Sequence, residues 1–148
     1  MGQSQGPSCV LVGSDSLLVQ CGEVLLRRGW RVLTVATDEA RLVSWAVERG
    51  LETRHASKPA WTEGLPPCDV LFSITWLRLL PPEALALPRK LAVNFHDGPL
   101  PRYAGLNAPA WAVRAREKQY GIAWHEMKPK VDAGDVLRVD VANQLPDA

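Results

Sequence analysis

Asn94 and His96 flank Phe95 at the end of the apolar run 91–95 (LAVNF). On a strand, both polar side chains point to one side and Phe95 to the other. A carboxamide beside an imidazole suits acyl transfer, because the amide can donate to a developing oxyanion while the imidazole manages protons. Taken alone, the two residues fit better with a turn-forming Asn and a packing His at a strand end. In the loop that follows, Gly98, Pro99, Pro101 and Gly105 surround Arg102 and Tyr103. That mix makes a shaped, rigid loop carrying a cation and an aromatic, the kind that often touches substrate. A second cluster, Asp132-Ala133-Gly134-Asp135, lies between two strand-like segments. Gly134 permits a tight turn, and Asp132 could reach back to orient or charge His96. Asp135 is then a turn residue or solvated, although spacing alone does not tell the two aspartates apart.

Other chemistries are poorly supported. A dinucleotide phosphate turn needs several glycines so that backbone N–H groups can approach the pyrophosphate. Here Gly13 is followed by Ser14, Asp15 and Ser16, and an acidic residue at that turn would repel phosphate. Cys9, Cys21 and Cys68 are odd in number and widely spaced, which fits neither a disulfide framework nor a zinc site, so a reducing cytoplasm is expected. His55, His96 and His125 lack ligand-like spacing, and no metal is expected.

The elements that must hold these residues read as an α/β fold. Residues 9–12 form a short apolar strand, after which Ser14-Asp15-Ser16 offer helix N-caps. Leu17, Leu18, Cys21, Val24 and Leu25 then share a helical face, and Gly29 suits the stop. Residues 30–35 (WRVLTV) are a second strand, and a helix from Asp38-Glu39 carries Leu42, Val43, Ala46 and Val47 to Gly50. Such alternation builds a mainly parallel sheet with helices on both faces, since each right-handed crossover returns the chain beside its predecessor. Residues 57–67 are loop-like, 69–73 a third strand, 82–87 a short helix and 91–95 a strand. The carboxyl end of that last strand delivers Asn94 and His96 to the sheet edge where open α/β folds bind ligands. A helix around 110–116 and a strand at 122–127 follow.

With 148 residues, 47% hydrophobic and 22% charged, the chain matches one ordinary soluble domain, read as 8–148 behind a flexible tail at 1–7. The formal charge of +1, without a block of Lys or Arg, disfavours DNA or another bulky nucleic acid as partner. No apolar run approaches a membrane span, so no membrane partner is expected.

The ordered set Asn94-x-His96, Pro99-Leu100-Pro101-Arg102-Tyr103-x-Gly105 and Val131-Asp132-Ala133-Gly134-Asp135 resembles the signature of the 10-formyltetrahydrofolate-dependent formyltransferases, from about residue 9 to 137. The resemblance implies a Rossmann-like catalytic domain, 10-formyltetrahydrofolate as donor co-substrate, and transfer of its formyl group to an amine. Asn94 would polarise the formyl oxygen, His96 would stabilise the adduct and assist proton transfer, and Asp132 would pair with His96. The donor would be bound by the loop after the third strand, with Trp76, Leu77, Arg78 and Leu79, and by Val131, Asp132 and Asp135 of the Asp loop. Pro101, Arg102, Tyr103, Gly105 and Asn107 would face the acceptor.

In wording, Ser16-Leu17-Leu18-Val19-Gln20-Cys21, Phe95 to Pro101 and Gly105-Leu106-Asn107 are most similar to formyltransferase domains of nonribosomal peptide and polyketide synthetases. That implies an aminoacyl acceptor on a carrier protein, in natural-product biosynthesis. Amino-sugar or methionyl-tRNA formylation, formyltetrahydrofolate hydrolysis, and a non-catalytic folate- or carrier-binding module are the alternatives. Family catalytic domains usually continue past the Asp loop, so the stop at Ala148 implies a C-terminally truncated piece of a larger synthetase, or a member completed by self-association.

Overall fold

The computed structural model describes residues 5–97, 120–127 and 135–142. The strands are β1 (Ser8–Gly13), β2 (Arg31–Ala36), β3 (Glu52–Arg54), β4 (Cys68–Ile74), β5 (Pro88–His96), β6 (Tyr120–Glu126) and β7 (Val136–Ala142). The helices are α1 (Ser16–Arg27), α2 (Ala40–Glu48) and the short α3 (Pro82–Leu85). The chain divides into two compact units at Ala92 and Val93, within β5.

In the first unit the strands run in the order β3-β2-β1-β4, followed by the opening residues of β5. β1 pairs parallel with both β2 and β4, and β2 pairs parallel with β3. This is the arrangement expected of βαβ crossovers. Cys9, Val10, Leu11 and Val12 on the central strand are buried, as are Val35 and Leu71 on its neighbours. A strand covered on both faces needs such a continuous apolar run, which is how residues 9–12 read in the sequence.

α1 starts where the sequence places it. Asp15 is its N-cap and accepts from the Ser16 N–H at 2.6 Å, and Gly29 takes φ +82° just past the end. Its buried seam runs along Leu18 and Gly22, whereas Val24, expected on the apolar face, is 40% exposed. Gly22 sits against the Trp45 ring of α2, where even a Cβ would come within 2.4 Å of a ring carbon. That close approach rotates the seam off the face that apolar spacing alone suggests. Val47 of α2 is likewise exposed, and Leu42 and Ala46 are its buried residues. β3 goes unseen in the sequence, because Glu-Thr-Arg has no apolar run and its strand state comes from pairing with β2.

In the second unit the closing residues of β5 pair antiparallel with β6, and β6 pairs antiparallel with β7. The sheet is therefore mixed, with its parallel part in the first unit. The helix expected around 110–116 lies outside the described residues.

Candidate active site

Asn94 and His96 stand at the carboxyl end of β5, and the register with β6 sets Asn94 opposite His125 and His96 opposite Ala123. Opposed residues share a face, so Asn94, His96 and His125 lie on one side of this strand pair. Phe95 is opposite Trp124 on the other side, and the two rings meet edge to face at 5.3 Å. The alternation expected from the sequence is thus realised, with an aromatic pair anchoring the reverse face.

His125 is the residue that sequence reasoning missed. It is 2% exposed, and its Nε2 lies 3.1 Å from Asn94 Nδ2. Its Nδ1 lies 3.0 Å from the Glu126 carbonyl oxygen, which can only accept. Nδ1 therefore carries the proton, Nε2 accepts, and Asn94 donates through its amide nitrogen. That chain fixes which end of the carboxamide is which. The imidazoles of His96 and His125 approach edge to face at 6.5 Å. His96 is 6% exposed, and its Nδ1 is 4.0 Å from Asp97 Oδ1, too long for a hydrogen bond but close enough for a charge to be felt. A register across some thirty residues of chain is invisible to local pattern, which is why His125 reads from sequence as one more strand residue.

The loop after β4 is built in the first unit. Gly13 lets the end of β1 come against the Ile74 carbonyl, where a Cβ would lie 2.0 Å from the oxygen. Gly13 thus serves close strand packing. Thr75 then leaves β4 in the left-handed region, φ 59°, and its carbonyl accepts from the Ser14 hydroxyl at 2.6 Å. A β-branched residue there is strained by about 1–3 kcal/mol, so the exit angle of this loop is held by its surroundings. Beyond it, Trp76, Arg78 and Leu79 line a cavity of about 320 Å³ together with Ser57, Lys58 and Trp61. The Arg78 guanidinium sits 5.5 Å from the Trp76 ring centre. Leu77 is not part of this lining and is 73% exposed.

Asp135 is exposed, and its carbonyl accepts from the Glu126 N–H at 2.8 Å, closing the β6–β7 ladder. Pro101, Arg102, Tyr103, Gly105, Asn107, Val131 and Asp132 lie outside the described residues. Among the described residues, no three His, Cys, Asp or Glu side chains are grouped to hold a metal, and no helix is long and apolar enough to cross a membrane.

A mainly parallel βαβ sheet with polar side chains at the carboxyl end of a strand defines a Rossmann-like α/β protein. Solved structures share that fold. Glycinamide ribonucleotide transformylase 1 from Symbiobacterium toebii superposes with a TM-score of 0.76 at 22% identity, over 97% of this chain and 76% of that one. A formyltetrahydrofolate deformylase from Pseudomonas syringae pv. tomato gives a TM-score of 0.80 at 20% identity, over 94% of this chain and 52% of that one. The formyl transferase family model matches residues 26–147, and the chain belongs to that family. A GDP-perosamine N-formyltransferase from Brucella melitensis is 35% identical over 69 residues, which is 47% of this chain and 27% of that relative.

Proposed function

We propose that this chain transfers a formyl group from 10-formyltetrahydrofolate to a primary amine, with Asn94, His96 and Asp132 as the catalytic residues. The observation that carries the reading is the Asn94–His125 hydrogen bond beside buried His96. A carboxamide whose nitrogen is pinned in the donor sense keeps a second N–H for an oxyanion, and it needs no reorganisation as charge develops. His125 is a positioning residue in this scheme, holding Asn94 without touching the reacting atoms.

The folate donor supplies the activated formyl carbon. The amine attacks that carbon, and Asn94 and His96 donate to the oxygen as it gains negative charge. As the old C–N bond breaks, the departing nitrogen takes up one proton and the amine gives one up, with His96 as the carrier. Asp132 pairs with His96 in its charged form. Recognition of the donor is assigned to the loop after β4. Trp61 and Trp76 offer apolar walls for an aromatic ring system, and Lys58 and Arg78 offer cations for carboxylates, in a cavity at the small end of the ligand-site range. Val131 and Asp135 complete the donor set, and Pro101, Arg102, Tyr103, Gly105 and Asn107 are assigned to the acceptor.

The sequence wording around Ser16 to Cys21 and Gly105 to Asn107 supports an aminoacyl group on a carrier protein as acceptor, within a larger natural-product synthetase. The segment shared with GDP-perosamine N-formyltransferase favours an amino sugar. Both are primary amines and need the same machinery. Mass spectrometry of reactions with the folate donor and a panel of carrier-bound aminoacyl groups, amino-sugar nucleotides and methionyl-tRNA decides between them, with a no-amine control that reads hydrolysis. His96→Ala is expected to abolish transfer while leaving the circular dichroism spectrum intact. A folded His96→Ala protein that formylates at near wild-type rate would refute the assignment.

A further inference from the structure

β7 hydrogen-bonds β6 along one edge, and among the described residues its other edge carries no strand. An edge of this kind presents a row of backbone donors and acceptors that can accept another strand. β7 is also apolar for an edge, with Val136 42%, Leu137 48% and Val139 37% exposed. Its two described charges, Arg138 and Asp140, lie two residues apart on one face and are bonded to each other, Nε to Oδ2 at 3.0 Å. The carboxylate holds the Arg138 guanidinium charged beyond its ordinary range.

This pattern is complementary to itself. Two copies of one strand that pair antiparallel about a two-fold axis normal to the sheet must centre on a residue, because opposed residues share a face. Centring on Arg138 sets two arginines directly opposite, and centring on Asp140 sets two aspartates opposite. Centring on Val139 sets valine against valine and places Arg138 opposite the second copy's Asp140, twice over by symmetry. Only in that register do the charges of both copies join into one alternating cluster while the apolar face stays apolar. We infer that the open edge of β7 is a self-association surface, at which a second copy of this chain pairs antiparallel about Val139 and continues the β6–β7 ladder across the two-fold.

Sedimentation velocity of the full chain over a wide concentration series tests this. The wild type forms a concentration-dependent dimer, since a single strand pair buries little area and binds weakly. Arg138→Asp sets like charges opposite at two places and weakens the dimer about tenfold or more, whereas Arg138→Asp combined with Asp140→Arg restores it. A wild type that stays monomeric throughout, or a dimer indifferent to Arg138→Asp, overturns the inference. If a charge variant fails to fold, oxidative cross-linking in a Cys21→Ser background gives a second reading. Val139→Cys lies on the axis and forms a disulfide-linked dimer, and Leu137→Cys lies off it and does not. Cross-linking at both positions or at neither overturns the register.

Discussion

Asn94 illustrates how one side chain acquires a direction. An isolated carboxamide can turn either end toward a ligand, but His125 Nε2 at 3.1 Å, with Nδ1 committed to the Glu126 carbonyl, leaves the nitrogen end as the donor. On the proposed role of Asn94, removing an oxyanion donor costs about 10²–10³ in kcat, which is the loss expected for Asn94→Ala. His125→Leu keeps the volume and removes the acceptor, so it should lower kcat by about tenfold, the order of one buried hydrogen bond, with the KM for donor little changed. Because His125 acts through Asn94, the double variant should be no slower than Asn94→Ala alone. Steady-state kinetics on the three proteins checks this, and losses that multiply would show that His125 acts independently. At this scale Asn94 and His96 were legible because their spacing is local, and His125 was not because its partner is far along the chain.

At the scale of elements, two contacts tie the first unit together. Glu23 on α1 accepts from the Trp45 indole at 2.8 Å and pairs with Arg49, the C-cap of α2, next to the close approach at Gly22. Gly22→Ala would drive a methyl into the Trp45 ring, so despite alanine's better helix propensity it should destabilise by about 1–3 kcal/mol. Urea unfolding measures the change, and a neutral or stabilising result would mean that the two helices part without cost. The second contact joins β1 to β4: Asp69 accepts from the Ser8 N–H at 2.9 Å, and the Ser8 hydroxyl accepts from the Asp69 N–H at 3.1 Å. These helices and strands were legible where period and caps were strong, as at Asp15, Gly29 and residues 9–12. The buried face of α1 was not, because Gly22 carries no apolar side chain to announce a contact.

Those contacts give the whole molecule a pH dependence. The Ser8 backbone N–H, helped by Lys90 and Arg89, holds the Asp69 carboxyl below its ordinary value. The Trp45 indole and then Arg49 do the same for Glu23. A carboxylate whose folded value is depressed contributes stability that is complete above the ordinary range near pH 4 and is lost as pH falls through the folded value. Asp69→Asn and Glu23→Gln should therefore unfold at lower urea than wild type at about pH 7, with the gap closing at about pH 3. A gap as wide in acid as at neutrality would mean that neither carboxylate is stabilised by folding. Burial of Cys9 pushes its thiol up to about 12, so it should take no part in this range. By itself the sequence determined the α/β class, the central apolar strand, the caps of α1 and the polar alternation at the end of β5, because each is written within a few neighbouring residues. Only the tertiary structure decided that β3 is a strand, that Gly22 is the seam of two helices and that His125 fixes the sense of Asn94. Each of those depends on which distant residue stands opposite, and register is set by the packing of the whole sheet rather than by any local pattern.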